Sequence, residues 1–293
     1  MSTWMPGPLC QIERWLGIRD GTFGCFCGAR PGPANTHPTH KTPPKTGPDK
    51  KAPVKTAADT ITADMLKGIA AHKVDATAVA HYLSEGVTAA GITTAVGRAM
   101  FIAETAVESQ YYTKLNEGGG RVAYDSKTKK HRNFHPKKKD VLGPNETEYD
   151  YFTYLYDVDS PVKHNQEHAR NMGNVDSGDG PKYKGRGYIQ ITGRKNYTAA
   201  GKDLSLDLVK NPDLAAQPEN AAKIAGWYWK TNGLNAYSDT DSDLTFKEVS
   251  YLINVGSLRG AKTDYTKIKG LTERQHMYVL AKKALGVTPP AVK

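Results

Sequence analysis

Cysteine is scarce in this 293-residue chain: Cys10, Cys25 and Cys27 are the only three, all within the first thirty residues. Everything downstream therefore folds without disulfides, which fits synthesis in a reducing cytoplasm. Cys25-Phe26-Cys27 is too tightly spaced for a CxxC knuckle and no second pair follows, so no metal site is expected. Long apolar runs are missing too. No window approaches the roughly 18 uninterrupted apolar residues of a membrane helix. The opening MSTWMPGPLCQIERWLG lacks a basic stretch followed by an apolar one, because Pro6, Pro8, Glu13 and Arg14 interrupt it, so no signal peptide is expected. The glycines of the most distinctive stretch, Gly185, Gly187 and Gly193, form no nucleotide loop, and neither cofactor nor internal repeat is indicated.

What the chain has is positive charge. Lys and Arg number 40 against 30 Asp and Glu, a formal net charge of +10. Such an excess points to a polyanionic partner: nucleic acid, an anionic membrane or an acidic cell-wall polymer. The densest cluster, KTKKHRNFHPKKK from Lys127 to Lys139, reads as a solvated loop. It offers a single aromatic residue, Phe134, for stacking on bases, so nucleic acid is not the expected partner.

Residues 30–58 are rich in Pro, Lys and Thr and nearly devoid of large apolar side chains. They cannot bury enough surface to offset their ordering entropy, and an extended, disordered linker is predicted. Residues 1–29 carry Trp4, Trp15, Phe23 and Phe26 but are too few for a core, and their role is unassigned. Residues 59–288 then form one domain, expected to be monomeric, with a tail at 289–293.

Within that domain Thr62 can cap a helix carrying Met65, Leu66 and Ile69, and a second helix covers 76–84. A third runs from about Thr94, with Val96, Met100, Ala103 and Val107 at helical spacing. The aromatic run Tyr149 to Tyr156 fits strand or helix. Helices are predicted over 218–230, after a capping box of Thr245 and Glu248, and over 271–285. Tyr188, Gln190 and Thr192 alternate with Ile189 and Ile191, the period of a half-buried strand whose polar face suits a polyhydroxylated ligand. The predicted fold class is mostly α (α+β), with a small sheet around 188–192.

Three acids could carry chemistry. Glu104 and Glu108 are four residues apart and share one helix face. The ordinary expectation for such acids is solvent, but burial would raise a carboxyl pKa as a general acid requires. Glu117 lies nine residues on. An unbroken helix would put it about 13 to 14 Å from Glu108 and on the opposite side. The run Gly118-Gly119-Gly120 is expected to end the helix and fold Glu117 back to face Glu108 across a groove. A separation of roughly 6.5 to 9.5 Å would suit inverting glycoside hydrolysis.

The blocks FIAETAVESQYYTKLNE, GDGPKYKGRGYIQITGRKNY, NPDL, AGWYWKTNGLN, LINVG and ERQHMYVLAKKALG together resemble glycoside hydrolase family 19. The likeness runs from about Ile61 to Gly286, in the form found in bacteriophage endolysins and related bacterial cell-wall lysins. The resemblance implies a lysozyme-like, two-lobed helical fold with a small sheet lining the cleft, and inverting cleavage of β-1,4 bonds between N-acetylated sugars. By position Glu108 resembles the general acid and Glu117 the general base. Gln190, Thr192, Asn196 and Asn254 match substrate-contacting positions, and Arg274 matches a basic position near the carboxylates. Val107 stands where the family has histidine and Val255 where it has glycine, and the basic segment after Glu117 is an insertion. The expected activity is that of a peptidoglycan hydrolase of lysozyme type, with a chitinase or a non-catalytic wall-binding or virion protein as alternatives. Peptidoglycan or another N-acetylglucosamine polymer is the expected partner. Synthesis in the cytoplasm and action on the wall after holin-type release, virion delivery or injection would follow.

Overall fold

Two glycines face each other where two helices cross. The computed structural model describes residues 60–135, 139–258 and 260–287, so the predicted linker, the N-terminal element and the tail lie outside the described residues. Helix α1, Ala76–Ala90, starts at Asp75, whose carboxylate accepts from the backbone of Thr77 and Ala78, and stops at Gly91 in the left-handed conformation. It packs along a helix later in the chain, α6, Pro218–Thr231, which Pro218 opens. At the crossing a Cβ built on Gly226 would lie 2.3 Å from the carbonyl oxygen of Gly86. Gly226→Ala must therefore push two backbones apart, and a loss of about 3 kcal/mol is expected, visible as a drop in Tm of roughly 6 to 12 °C.

Helix α2, Ala95–Glu108, begins at Thr94, whose hydroxyl accepts from Gly97 N, and carries both Glu104 and Glu108. The sheet follows: β1 Arg121–Asp125 lies between β2 Lys130–Phe134 and β3 Glu146–Asp150, both antiparallel to it, with Arg121 opposite Phe134 and Asp150. Part of the basic cluster is thus strand β2 and not loop. The ambiguous aromatic run divides between both readings. Strand β3 ends at Asp150, whose carboxylate caps α3, Tyr151–Tyr156. Helices α4, Lys163–Asn171, α5, Arg194–Leu204, α7, Asp243–Asn254, and α8, Leu271–Ala284, complete the set used below, with α8 packed against α2.

The fold is mostly helical with a small antiparallel sheet, as expected, and the described residues form two cores. The larger gathers α1, α2, α6 and α8 around Phe101, Trp229 and Leu83. The smaller joins Val122 and Tyr124 of β1 to Tyr151, Phe152, Tyr154 and Leu155 of α3. Two separate cores are the physical content of two lobes.

Three local expectations are corrected. Residues 188–192 are not a strand and the sheet lies elsewhere. Gly187 and Gln190 both have positive φ, 82° and 51°, and Arg186 and Ile191 exchange backbone hydrogen bonds of 3.2 and 3.0 Å across a tight loop. Tyr188, assigned to the polar face, is buried against Tyr112, so the alternation came from a loop buried on both sides. The cap of α7 is Ser242, whose hydroxyl accepts from Thr245 N, not a Thr245/Glu248 box. The helix expected after Thr62 is a single 3-10 turn, Asp64–Leu66, followed at once by Gly68 at φ 79°.

Candidate active site

The chain leaves the helical path directly after α2, and glycine is not what turns it. The helix ends at Glu108, and Gln110, Tyr111 and Tyr112 follow at φ 48°, 59° and 67°. Three consecutive non-glycine residues in the left-handed region cost on the order of 1 kcal/mol each and persist only if their surroundings impose them. Here they do. Ser109 Oγ accepts from Tyr112 N at 3.0 Å, and Tyr111 N donates to Ala106 O at 2.6 Å. The Tyr111 hydroxyl donates to Glu273 on α8 at 2.6 Å, and that of Tyr112 to Ile102 O at 3.1 Å. The glycine triplet after Glu117 has another use: a Cβ on Gly119 would meet the Phe152 ring at 2.4 Å, so Gly119 permits contact between the loop and α3.

Glu117 is held by three hydrogen bonds with two residues. Its own N–H donates to Gly185 O at 2.9 Å, Gly185 N donates back to Glu117 Oε2 at 2.8 Å, and the Tyr156 hydroxyl donates to Oε1 at 3.0 Å. The Gly185 position leaves no space for a side chain, since a Cβ there would stand 2.9 Å from Glu117 Oε2 and 3.1 Å from Gln190 Oε1. Burial pushes the Glu117 carboxyl above its ordinary range, and the hydrogen bonds from Gly185 and Tyr156, with the charges of Lys184 and Arg186, pull part of the way back. Burial, then the charge of Glu117, keeps the Tyr156 hydroxyl protonated as a donor. Sequence reasoning missed Tyr156; its aromatic run concealed the hydroxyl that reaches Glu117.

Glu104 and Glu108 share Arg274. Glu104 is fully buried, against the solvent-facing expectation; Glu108 keeps 17 % of its side chain exposed, and the guanidinium between them is 3 % exposed. Arg274 Nη1 pairs with Glu104 Oε2 and Nη2 with Glu108 Oε1. Ser250 on α7 adds a hydrogen bond to Glu104 at 2.6 Å, and Arg274 Nε donates to Lys269 O at 3.0 Å. Burial pushes the Glu104 carboxyl up, while Arg274 and then Ser250 oppose it. One cation thus stands between two carboxylates. Glu108 Oε2 has no hydrogen-bond partner among the described residues, which leaves it available to a ligand.

The predicted sugar-contacting residues are partly engaged with the protein's own backbone. Gln190 Nε2 donates to Gly187 O at 2.7 Å and Lys114 O at 3.3 Å, while its Oε1, like Glu117 Oε2, borders the side-chain position of Gly185. Thr192 Oγ1 donates to Gln190 O at 3.0 Å and Asn196 Nδ2 to Thr192 O at 3.0 Å, so these side chains tie the 186–191 loop to α5. Asn254 is 5 % exposed, and its Oδ1 accepts from Lys269 N at 2.9 Å, next to the carbonyl that Arg274 binds. Gln190 is thereby joined to the Glu117 side of the site. Asn254 and Arg274 are joined to the Glu108 side. Val107 packs partly buried against the larger core, and no cluster of metal-ligating residues occurs among the described residues.

Comparison with known proteins gives a match to part of the chain. Residues 143–243 match the glycoside hydrolase family 19 model described as class I chitinase, a segment that includes Gln190, Thr192 and Asn196 but neither Glu108 nor Glu117. A family 19 domain-containing protein of Haemophilus influenzae is 48 % identical over 68 residues, which is 22 % of this chain and 34 % of that one. An endochitinase of Arabidopsis thaliana is 38 % identical over 111 residues, 38 % of this chain and 36 % of the other. The chain thus spans about a third of the length of these curated relatives. Among solved structures, chitinase C from Streptomyces griseus aligns over 80 % of this chain and 98 % of its own at 19 % identity, with a TM-score of 0.49.

Proposed function

We propose that the glycoside hydrolase family 19 domain carried by this chain cleaves β-1,4 bonds in N-acetylglucosamine-containing polymers, with Glu108 as general acid and Glu117 as general base. The observation that carries this reading is how differently the two carboxylates are held. Glu117 is fixed at both oxygens by neutral donors and raised in basicity by burial, which suits a group that takes a proton from water. Glu108 is held at one oxygen by Arg274 and keeps the other for a leaving group. Inverting hydrolysis needs such a pair: one carboxyl protonates the glycosidic oxygen while the other activates water on the far face of the sugar ring.

Tyr156 supplies a test of the base. Its hydroxyl stabilises the charged form of Glu117, so Tyr156→Phe is expected to raise the Glu117 pKa further. The acidic limb of the kcat/KM profile on soluble chitin oligomers should move to higher pH. A limb that stays in place or moves down would remove Glu117 as the titrating base.

Two substrates fit this machinery. The relatives' names favour chitin. The net charge of +10 favours the anionic polymer of the bacterial wall, since a neutral polymer gains nothing from it, and the phage-lysin form of the resemblance agrees with that second reading. Release of reducing ends from chitin oligomers and from purified sacculi, with mass spectrometry of the muropeptides, separates them. Products from chitin alone would make the chain a chitinase. Binding without product from either would make it a non-catalytic wall protein.

A further inference from the structure

Lys184 differs from the other cations of the site. Arg186 pairs with Asp213, Arg194 with Asp176 and Asp179, and Arg274 with Glu104 and Glu108. Lys184 has no carboxylate partner among the described residues. Its backbone is fixed, because its carbonyl accepts from the Tyr197 hydroxyl at 2.7 Å and its neighbour Gly185 holds Glu117. The side chain is partly buried, and its Nζ lies 4.9 Å from the centroid of the Phe152 ring. Phe152 stacks on Tyr156 with centroids 6.3 Å apart, and Tyr156 donates to Glu117. Lys184, Phe152, Tyr156 and Glu117 therefore form one continuous run of contacts, and Lys184 is close enough for its charge to act on Glu117.

A partly buried lysine that lies on an aromatic face and makes no ion pair among the described residues can meet an anion brought by a ligand at close range, which an exposed lysine does less well. Lys127 and Lys129 in the β1–β2 turn and Lys130 at the start of β2 are exposed, and attraction to them is screened by salt beyond about 10 Å. Contact at Lys184 is not. We propose that Lys184 recognises a carboxylate carried by the substrate beside the sugar whose bond is cut, so that the domain prefers N-acetylated glycans with acidic substituents over neutral chitin. This rests on the cleft assignment made under the proposed function.

The test uses two soluble polymers with the same backbone, neutral glycol chitin and anionic carboxymethyl chitin, at an ionic strength of about 0.3 M to suppress long-range steering. Lys184→Gln should lower the anionic-to-neutral ratio of kcat/KM about tenfold, mainly through KM, and Lys184→Arg should keep it within about twofold of wild type. An unchanged ratio, with both substrates slowed in proportion and the acidic limb shifted, would mean that Lys184 acts only through Glu117 and would overturn the proposal. Equilibrium binding of both polymers to the Glu117→Gln protein reads the same preference without turnover. Sacculi assayed in parallel keep the two readings apart: no product from them defeats the wall-polymer substrate, while the matched pair still decides Lys184.

Discussion

Glu117→Gln is expected to lower kcat on N-acetylglucosamine oligomers by about 10³-fold or more, within the range that a positioned general base contributes. The same substitution should make the protein more stable at neutral pH. Burial raises the Glu117 pKa above its unfolded value, so the wild-type side chain supports folding below the unfolded pKa and loses that contribution as pH rises through the folded one. A glutamine at this site has no charge to desolvate and can keep both donors, Tyr156 O–H and Gly185 N–H, on its carbonyl oxygen only in part. The gain in Tm relative to wild type should therefore be modest at pH 7 and should shrink as the pH falls below the carboxylate range. Lost activity with gained stability is what a functional acid held against its solvation preference produces. Lost activity together with a collapsed Tm would assign Glu117 to the fold.

Arg274→Met carries the second large effect. The guanidinium is the only cation paired with Glu104 among the described residues, and Glu104 is fully buried. Removing one partner of a buried pair leaves the other uncompensated and costs about 3 to 5 kcal/mol. The variant should unfold well below wild type by calorimetry, and kcat should drop by about 100-fold even where it remains folded, because Glu108 loses the group that fixes Oε1. The double variant Glu104→Gln with Arg274→Met should recover much of the stability, since no buried ion is left alone, but not the rate. Recovery of both would mean that Arg274 is structural and Glu108 needs no orientation.

The sequence pattern was sufficient for the helices. Apolar spacing locates α2, α6 and α8 to within a few residues, because each turns one continuous stripe toward the larger core. It was insufficient wherever tertiary contacts override local preference. The chain reversal after Glu108 runs through Gln110, Tyr111 and Tyr112, residue types that give no turn signal, and bonds from Ser109, Ala106 and Glu273 impose it. Periodicity cannot distinguish a strand from a loop buried on both sides, which is how 188–192 misled. Glu104 read as a surface acid because its partner, Arg274, is 170 residues away in sequence. The convergence of Glu117, Gly185 and Gln190 was half legible: the residue types suggested a sugar site, whereas the part of Gln190 and Thr192 in bracing their own loop emerges only from the hydrogen bonds.

The most direct measurement of the two-carboxylate account is the anomeric configuration of the first-formed product. Proton NMR of N-acetylglucosamine oligomer hydrolysis, recorded before mutarotation, should show the α-anomer at the new reducing end, because Glu117 activates a water that attacks from the face opposite the departing sugar. A β-anomer formed first would mean that the configuration is retained, and would contradict the assignment of Glu117 as a base acting on water.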